Sequence, residues 1–278
     1  MVAGMTGTSV VMTPDALRWA ASVATSFWAS AAEQSSYPRS PQDVAVWSLP
    51  LGFVSVRGLT LGHVRRFLHT TLLPMGFGDA RRPLHACLVA YAGRGVVFLR
   101  ADDPPDERRF SAAHEIGHFL TDYLEPRRRA IERLGEEITG VLDGRRPPTP
   151  TERVDAVLVG VSPGGYTHML PLVGDAVGGL SLEVESRADL LALALLAPAD
   201  EVRRRVLRAS RGSRSDLAVT ASRLLRGEFG LPAGPARFYA RLLFGGRWPS
   251  VRRWLGLEVR HRVALRCLLP ELNDGEGW

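Results

Sequence analysis

Residues 103–124 read Asp-Pro-Pro-Asp-Glu-Arg-Arg-Phe-Ser-Ala-Ala-His-Glu-Ile-Gly-His-Phe-Leu-Thr-Asp-Tyr-Leu. Apolar residues recur at Phe110, Ala113, Ile116, Leu120 and Leu124, close to the helical period, so the stretch reads as one amphipathic helix. Asp103 is the expected N-cap, with Pro104 at the first helical position. Inside the stretch stands His114-Glu115-Ile116-Gly117-His118, the HExxH pattern. Residues four apart share a helical face, so both imidazoles can reach one metal ion. Glu115, between them, is placed to take a proton from a water that such a metal activates. Gly117 costs about 1 kcal/mol inside a helix, which suits a close approach of backbone or substrate at that point. The plain alternative is two surface histidines on an amphipathic helix.

A catalytic zinc site wants three protein ligands and an open position. One extension of HExxH supplies a third histidine shortly downstream, but those positions hold Thr121 and Leu124. A carboxylate from a later helix is the other solution. Glu183–Leu196 reads as strongly helical, and in it Glu185 and Asp189 lie four apart on one face. Glu185 is then a candidate ligand. Asp189 is a candidate partner for the far nitrogen of a ligand histidine, a contact that fixes tautomer and orientation. From spacing alone, Glu183, Asp122 and His168 are rivals for the third position, and Glu185 with Asp189 also reads as the solvated end of a helix. Asp122, one turn beyond His118, is a second candidate for an outer partner. His168, in Gly-Gly-Tyr-Thr-His-Met, reads as a fourth ligand, a donor to the transition state, or a structural histidine. Tyr166 and Tyr239 are further candidate donors to a developing oxyanion; for each, packing is the competing reading.

The remaining chain bounds the answer. Its 278 residues, 45% hydrophobic, suffice for a sizeable core. The net charge is +6, and all 35 basic residues are arginine. They are scattered among Asp and Glu in short runs such as Arg127–Arg129 and Arg203–Arg205, so direct nucleic-acid binding is not expected. The two cysteines, Cys87 and Cys267, form no CxxC pair and read as buried free thiols in a reducing compartment. Residues 16–32 are broken by Arg18 and several serines and do not read as a signal peptide. The apolar run 190–199 is too short to span a bilayer. A cytoplasmic protein without a membrane partner is expected.

Thr13-Pro14-Asp15 opens a first helix, followed by a linker over residues 33–43. A second helix is expected from Leu59 to about Leu73. Leu84–Tyr91 and Val96–Leu99, joined by Ala-Gly-Arg-Gly, read as a β-hairpin. Glu125–Leu142 reads as helical, Thr149-Pro-Thr-Glu152 as a new helix start, and 199–256 as helix-prone with breaks at 230–235 and 245–249. The expected division is an N-terminal helix and linker (1–40), a main domain (41–245, with an insert at about 125–180) and a C-terminal helical tail (246–278).

Arg109-Phe-Ser-Ala-Ala-His-Glu-Ile-Gly-His118 resembles the signature of the ImmA/IrrE family of metallo-endopeptidases. Glu185-Ser-Arg-Ala-Asp-Leu-Leu-Ala-Leu-Ala-Leu-Leu-Ala-Pro198 is similar, in register, to that family's second block. More loosely, the hairpin and the segment 229–243 also fit, so the likeness runs over about residues 45–245. Departures are Asp189 for the usual Asn, Leu191 for Phe, Ala197 for Met, and a longer spacer at 119–184. They bear on substrate specificity more than on metal binding. The resemblance implies an α+β fold: a mainly helical, zincin-like core with a small β-sheet or hairpin beside the HExxH helix. It implies one Zn²⁺ held by His114, His118 and Glu185, with Glu115 as the base. It also implies a protein substrate, often a helix-turn-helix transcriptional repressor. A competing reading is a non-catalytic zinc module that binds and sequesters a repressor; an intact Glu115 argues against it, because a structural site needs no base.

Overall fold

The computed structural model describes residues 13–31, 36–70, 80–159, 164–172, 181–210 and 217–245. Along the chain run α1 (Pro14–Trp28), α2 (Pro41–Ser48), β1 (Leu51–Val56), α3 (Leu61–Thr70), β2 (Leu84–Tyr91), β3 (Arg94–Arg100) and α4 (Pro105–His118). A π-helical turn (Phe119–Leu124) extends α4 into α5 (Glu125–Leu134). Then come a 3₁₀ turn (Glu136–Ile138), α6 (Thr139–Leu142), α7 (Pro150–Val159), β4 (Tyr166–Pro171), α8 (Ser181–Leu196), α9 (Ala199–Ala209), α10 (Leu217–Gly227) and α11 (Ala233–Phe244). The fold is mainly helical with one small mixed sheet, as the sequence implied. Cys267 and the expected tail at 246–278 lie outside the described residues.

The β2–β3 hairpin is the centre of the sheet. Its turn is Ala92-Gly93, with φ of 49° and 79°. Two left-handed residues match the twist of a tight hairpin, and glycine adopts that backbone without penalty. The strand order is β1-β3-β2-β4, with β1 parallel to β3 and both other pairings antiparallel. Strand periodicity then sorts side chains to two faces. Ala86, Leu88, Ala90, Val97 and Leu99 join the main core with α4 and α8, while Cys87, Val89 and Phe98 pack with Leu61, Val64 and Leu68 of α3.

Helix α8 is enclosed, which explains its uninterrupted apolar run: Leu190 through Ala197 are all buried. On one side it meets α4 and on the other α1. Trp28 of α1 donates its indole N–H to the Leu195 carbonyl at 3.1 Å, satisfying one of the acceptors left open at the end of α8. α1 itself begins as its sequence suggests, with the Thr13 hydroxyl accepting from the Ala16 amide.

Several expectations are corrected. α4 starts one residue later than expected, with Pro104 as its N-cap; the Asp103 carboxylate instead meets His85 at 2.7 Å and Arg100 at 3.6 Å. The helix read as continuous over 125–142 breaks at Gly135, whose φ is 82°. β1, α2 and β4 were not anticipated, and β4 turns the middle of the supposed irregular insert into a strand of the sheet. The second helix is described to Thr70; its expected continuation to Leu73 lies outside the described residues.

Candidate metal centre

Three elements converge on one point. α4 contributes His114, Glu115 and His118, β4 contributes His168, and α8 contributes Glu185. One ligand-type atom from each of His114, His118, His168 and Glu185 lies within 4.8 Å of the others, an arrangement able to hold a metal ion.

α4 and α8 set the geometry through backbone contact. A Cβ built on Gly117 would stand 3.2 Å from both Cα and the carbonyl oxygen of Ala188. The glycine between the two histidines therefore lets the helices approach closely enough for Glu185, three residues before Ala188, to reach the imidazoles. Glu115 and His118 are fully buried and His114 nearly so.

The two imidazoles present their Nε2 atoms to each other at 3.0 Å. Glu185 Oε2 lies 3.4 Å from His114 Nε2 and 3.8 Å from His118 Nε2. In a tetrahedral zinc site with N and O ligands the ligand atoms stand about 3.3 Å apart, and the three observed separations bracket that value. The outer nitrogens are already engaged. His114 Nδ1 meets Asp189 at 2.9 Å, and His118 Nδ1 meets Asp122 at 2.7 Å. Each carboxylate makes its histidine protonated at Nδ1 and leaves Nε2 as the free donor for a metal. Four carboxylates around three imidazoles form a pocket suited to a cation. The residues fit Zn²⁺.

Electrostatics follow from the same crowding. Burial acts first on His114 and would lower its pKa, but Asp189, Glu185 and Glu115 together raise it well above the ordinary value. Burial likewise opposes charge on His168, yet Glu115 and Glu185 push it up to about 9. Burial works against an ionised Glu185, while the three histidines facing it, His168 through a 2.9 Å hydrogen bond, hold it well below the usual carboxylate range. Asp189 is raised, first by burial.

His168 was one of several readings in the sequence; here it bridges the two glutamates. Its Nδ1 lies 2.9 and 3.1 Å from the carboxylate oxygens of Glu115, and its Nε2 lies 2.9 Å from Glu185. Its ring stacks on His118 at 3.7 Å between centroids. Its link to Glu115 was missed in the sequence. The signal was the alternation in 166–170, which follows a Gly-Gly turn and places Tyr166, His168 and Leu170 on one face. Tyr166 and Leu170 indeed pack on the core beside α4, whereas Met169 packs on the opposite face.

The candidate tyrosines separate. The Tyr166 hydroxyl lies 3.4 Å from His118 Nδ1, on the Asp122 side of that ring. Burial and then the charges of Asp122, Glu115 and Glu185 raise its pKa, so it stays protonated as a donor. Tyr239 is 1% exposed within the main core. Burial raises its pKa, the nearby charges being Arg203 and Asp200 of α9, so its surroundings are those of a packing residue. Glu183 is not among the clustered ligands.

Beyond His118 the helix widens into the π turn, a feature common at functional sites. Thr121 Oγ1 donates to the Gly117 carbonyl at 2.9 Å, satisfying an acceptor as the winding changes. Asp122 lies within this turn.

Residues 71–139 match the model of the IrrE N-terminal-like domain. Over that stretch the chain is similar to the IrrE N-terminal-like peptidase family. The matched stretch includes the hairpin, His114, Glu115 and His118, and ends before β4 and α8. Comparison with curated protein sequences gives no match. Similarity to a peptidase family over this stretch, together with a cluster of zinc-type ligands, supports a metal-dependent peptidase activity. No helix among the described residues is long and apolar enough to cross a membrane.

Proposed function

We propose that this IrrE-like protein is a zinc endopeptidase that cuts a regulatory protein in the cytoplasm. The observation that carries the reading is the placement of Glu115. It is fully buried, it neighbours both zinc-type histidines, and it is bonded to His168 rather than to a neutralising arginine. A site that served structure alone would need the ligands but not this carboxylate.

In this reading His114, His118 and Glu185 hold the metal, and Asp189 and Asp122 orient the two histidines. Bound zinc supplies Lewis acidity, making a coordinated water more acidic and polarising the scissile carbonyl. Glu115 accepts the proton from the attacking water and returns it to the leaving amine. His168 faces both Glu115 and Glu185 and serves as the donor that stabilises negative charge on the carbonyl oxygen. A fourth protein ligand would close the site, which suits structural zinc more than catalysis; we therefore give His168 the donor role. Tyr166, held beside His118, is the weaker donor candidate.

The substrate class rests on the family resemblance, which supports a helix-turn-helix repressor. The test is Glu115→Gln assayed on a candidate helix-turn-helix repressor from the same organism. We expect full zinc content and hydrolysis slowed by about 10²- to 10⁴-fold. Shortening of the repressor by E115Q at the wild-type rate would remove Glu115 as the base. Binding without cleavage by the wild type would favour the sequestering module.

A further inference from the structure

The two carboxylates that hold the candidate zinc histidines are supported differently. Asp189 is enclosed in the α4–α8 interface, where burial fixes it. Asp122 sits in the π turn with its side chain 10% exposed. Its Oδ2 meets His118 Nδ1 at 2.7 Å, and its Oδ1 accepts from Arg187 Nη2 at 2.8 Å. Each oxygen therefore has its own partner, and the two partners come from elements far apart in sequence. Arg187 lies on α8, two residues past Glu185. Its guanidinium also stands 5.8 Å from the Trp19 ring of α1, within cation–π range.

We propose that Arg187 is a positioning residue for the metal site, acting on His118 through Asp122. A carboxylate in a widened turn lacks the fixed geometry of a regular helix. With Oδ2 committed to His118 and Oδ1 pinned from α8, rotation of the carboxylate is blocked and the imidazole is held in the plane that its metal lone pair requires. α8 then serves both sides of the site: Glu185 meets the histidines directly, and Arg187 locks one of them from behind. Trp19 steadies the guanidinium, which joins the N-terminal helix to His118 by a chain of three side chains. The Arg187 side chain is 42% exposed, but its carboxylate partner is only 10% exposed and comes from a distant element; Arg128–Glu125 on α5 is a local i,i+3 contact with both side chains more exposed, at 59% and 35%, and surface pairs of that kind contribute little. The guanidinium also lines a cavity of about 770 Å³ between α1, the π turn and α8. Removing it would let water reach Asp122, so the expected effect is moderate.

The inference rests on the zinc reading, and the experiment separates the two. Zinc affinity is measured by competition with a chromophoric chelator, and melting temperature is measured on the metal-free proteins. Loss of a partner that orients a metal-bound histidine costs about 10- to 100-fold in affinity. Asp122→Asn should fall in that range. Arg187→Ala, one contact further out, should weaken zinc about threefold to tenfold. Arg187→Lys should recover most of the loss, Arg128→Ala should change nothing, and R187A added to D122N should weaken zinc no further. Should R187A fail to fold, Arg187→Gln keeps the stem and serves in its place. Unchanged zinc affinity in R187A, or the same additional loss in the D122N background, overturns the positioning role. A wild-type protein that takes up no zinc overturns the zinc reading and this inference with it.

Discussion

The α4–α8 pair and the β4 edge meet at the same cluster but are held there by different means. The helical pair is locked by backbone contact at Gly117 and Ala188 and enclosed by buried aliphatic residues. β4 lies at the end of the sheet, paired on one side to β2, and its site residues are only partly buried. The difference suggests a division of labour. The rigid half sets where a metal sits. In the proposed reading, the edge half places His168, the donor that meets the reacting carbonyl.

The largest effect should come from breaking the rigid half at its narrowest point. Gly117→Val drives a branched side chain into the Ala188 backbone. Overpacking of this kind costs about 1–3 kcal/mol, and a β-branched residue facing backbone belongs at the upper end. Thermal melting should show the loss, and zinc content should fall with it. A G117V protein as stable as wild type would mean that the close approach is not required.

On the edge half, His168→Ala should leave zinc affinity within a few fold and lower peptide hydrolysis by about 10²-fold. Zinc analysis beside kcat separates the roles. Loss of zinc as severe as that from removing Glu185 would make His168 a ligand and would erase the proposed division.

The smallest effect should come from Asp189→Asn. Asn keeps the size and an acceptor for His114 but removes the charge, so zinc affinity should drop by about tenfold. No change in affinity would show that burial alone orients His114.

The same contrast explains what was legible in the sequence. His114 with His118, and Glu185 with Asp189, are i,i+4 pairs, so each pair's shared face could be read within one turn of one helix. The hairpin was legible because Ala92-Gly93 lies between two apolar runs. β4 could not be read from its own residues with the same force. Its place depends on pairing with β2, about 80 residues earlier in the chain. The π turn left no pattern at all, since its residues also fit an α-helical stripe. Tyr239 shows the reverse error. Its hydroxyl suggested chemistry, but the apolar face of α11 turns it into the core.

Whether one ion joins α4 to α8 is read from metal content in wild-type protein and in Glu185→Ala, with circular dichroism to check that the variant is folded. One zinc per wild-type chain is expected, with a folded E185A that loses it during dialysis against a chelator the wild type withstands. Zinc held equally by both would remove Glu185 from the metal and contradict the joining of α4 and α8 at one ion.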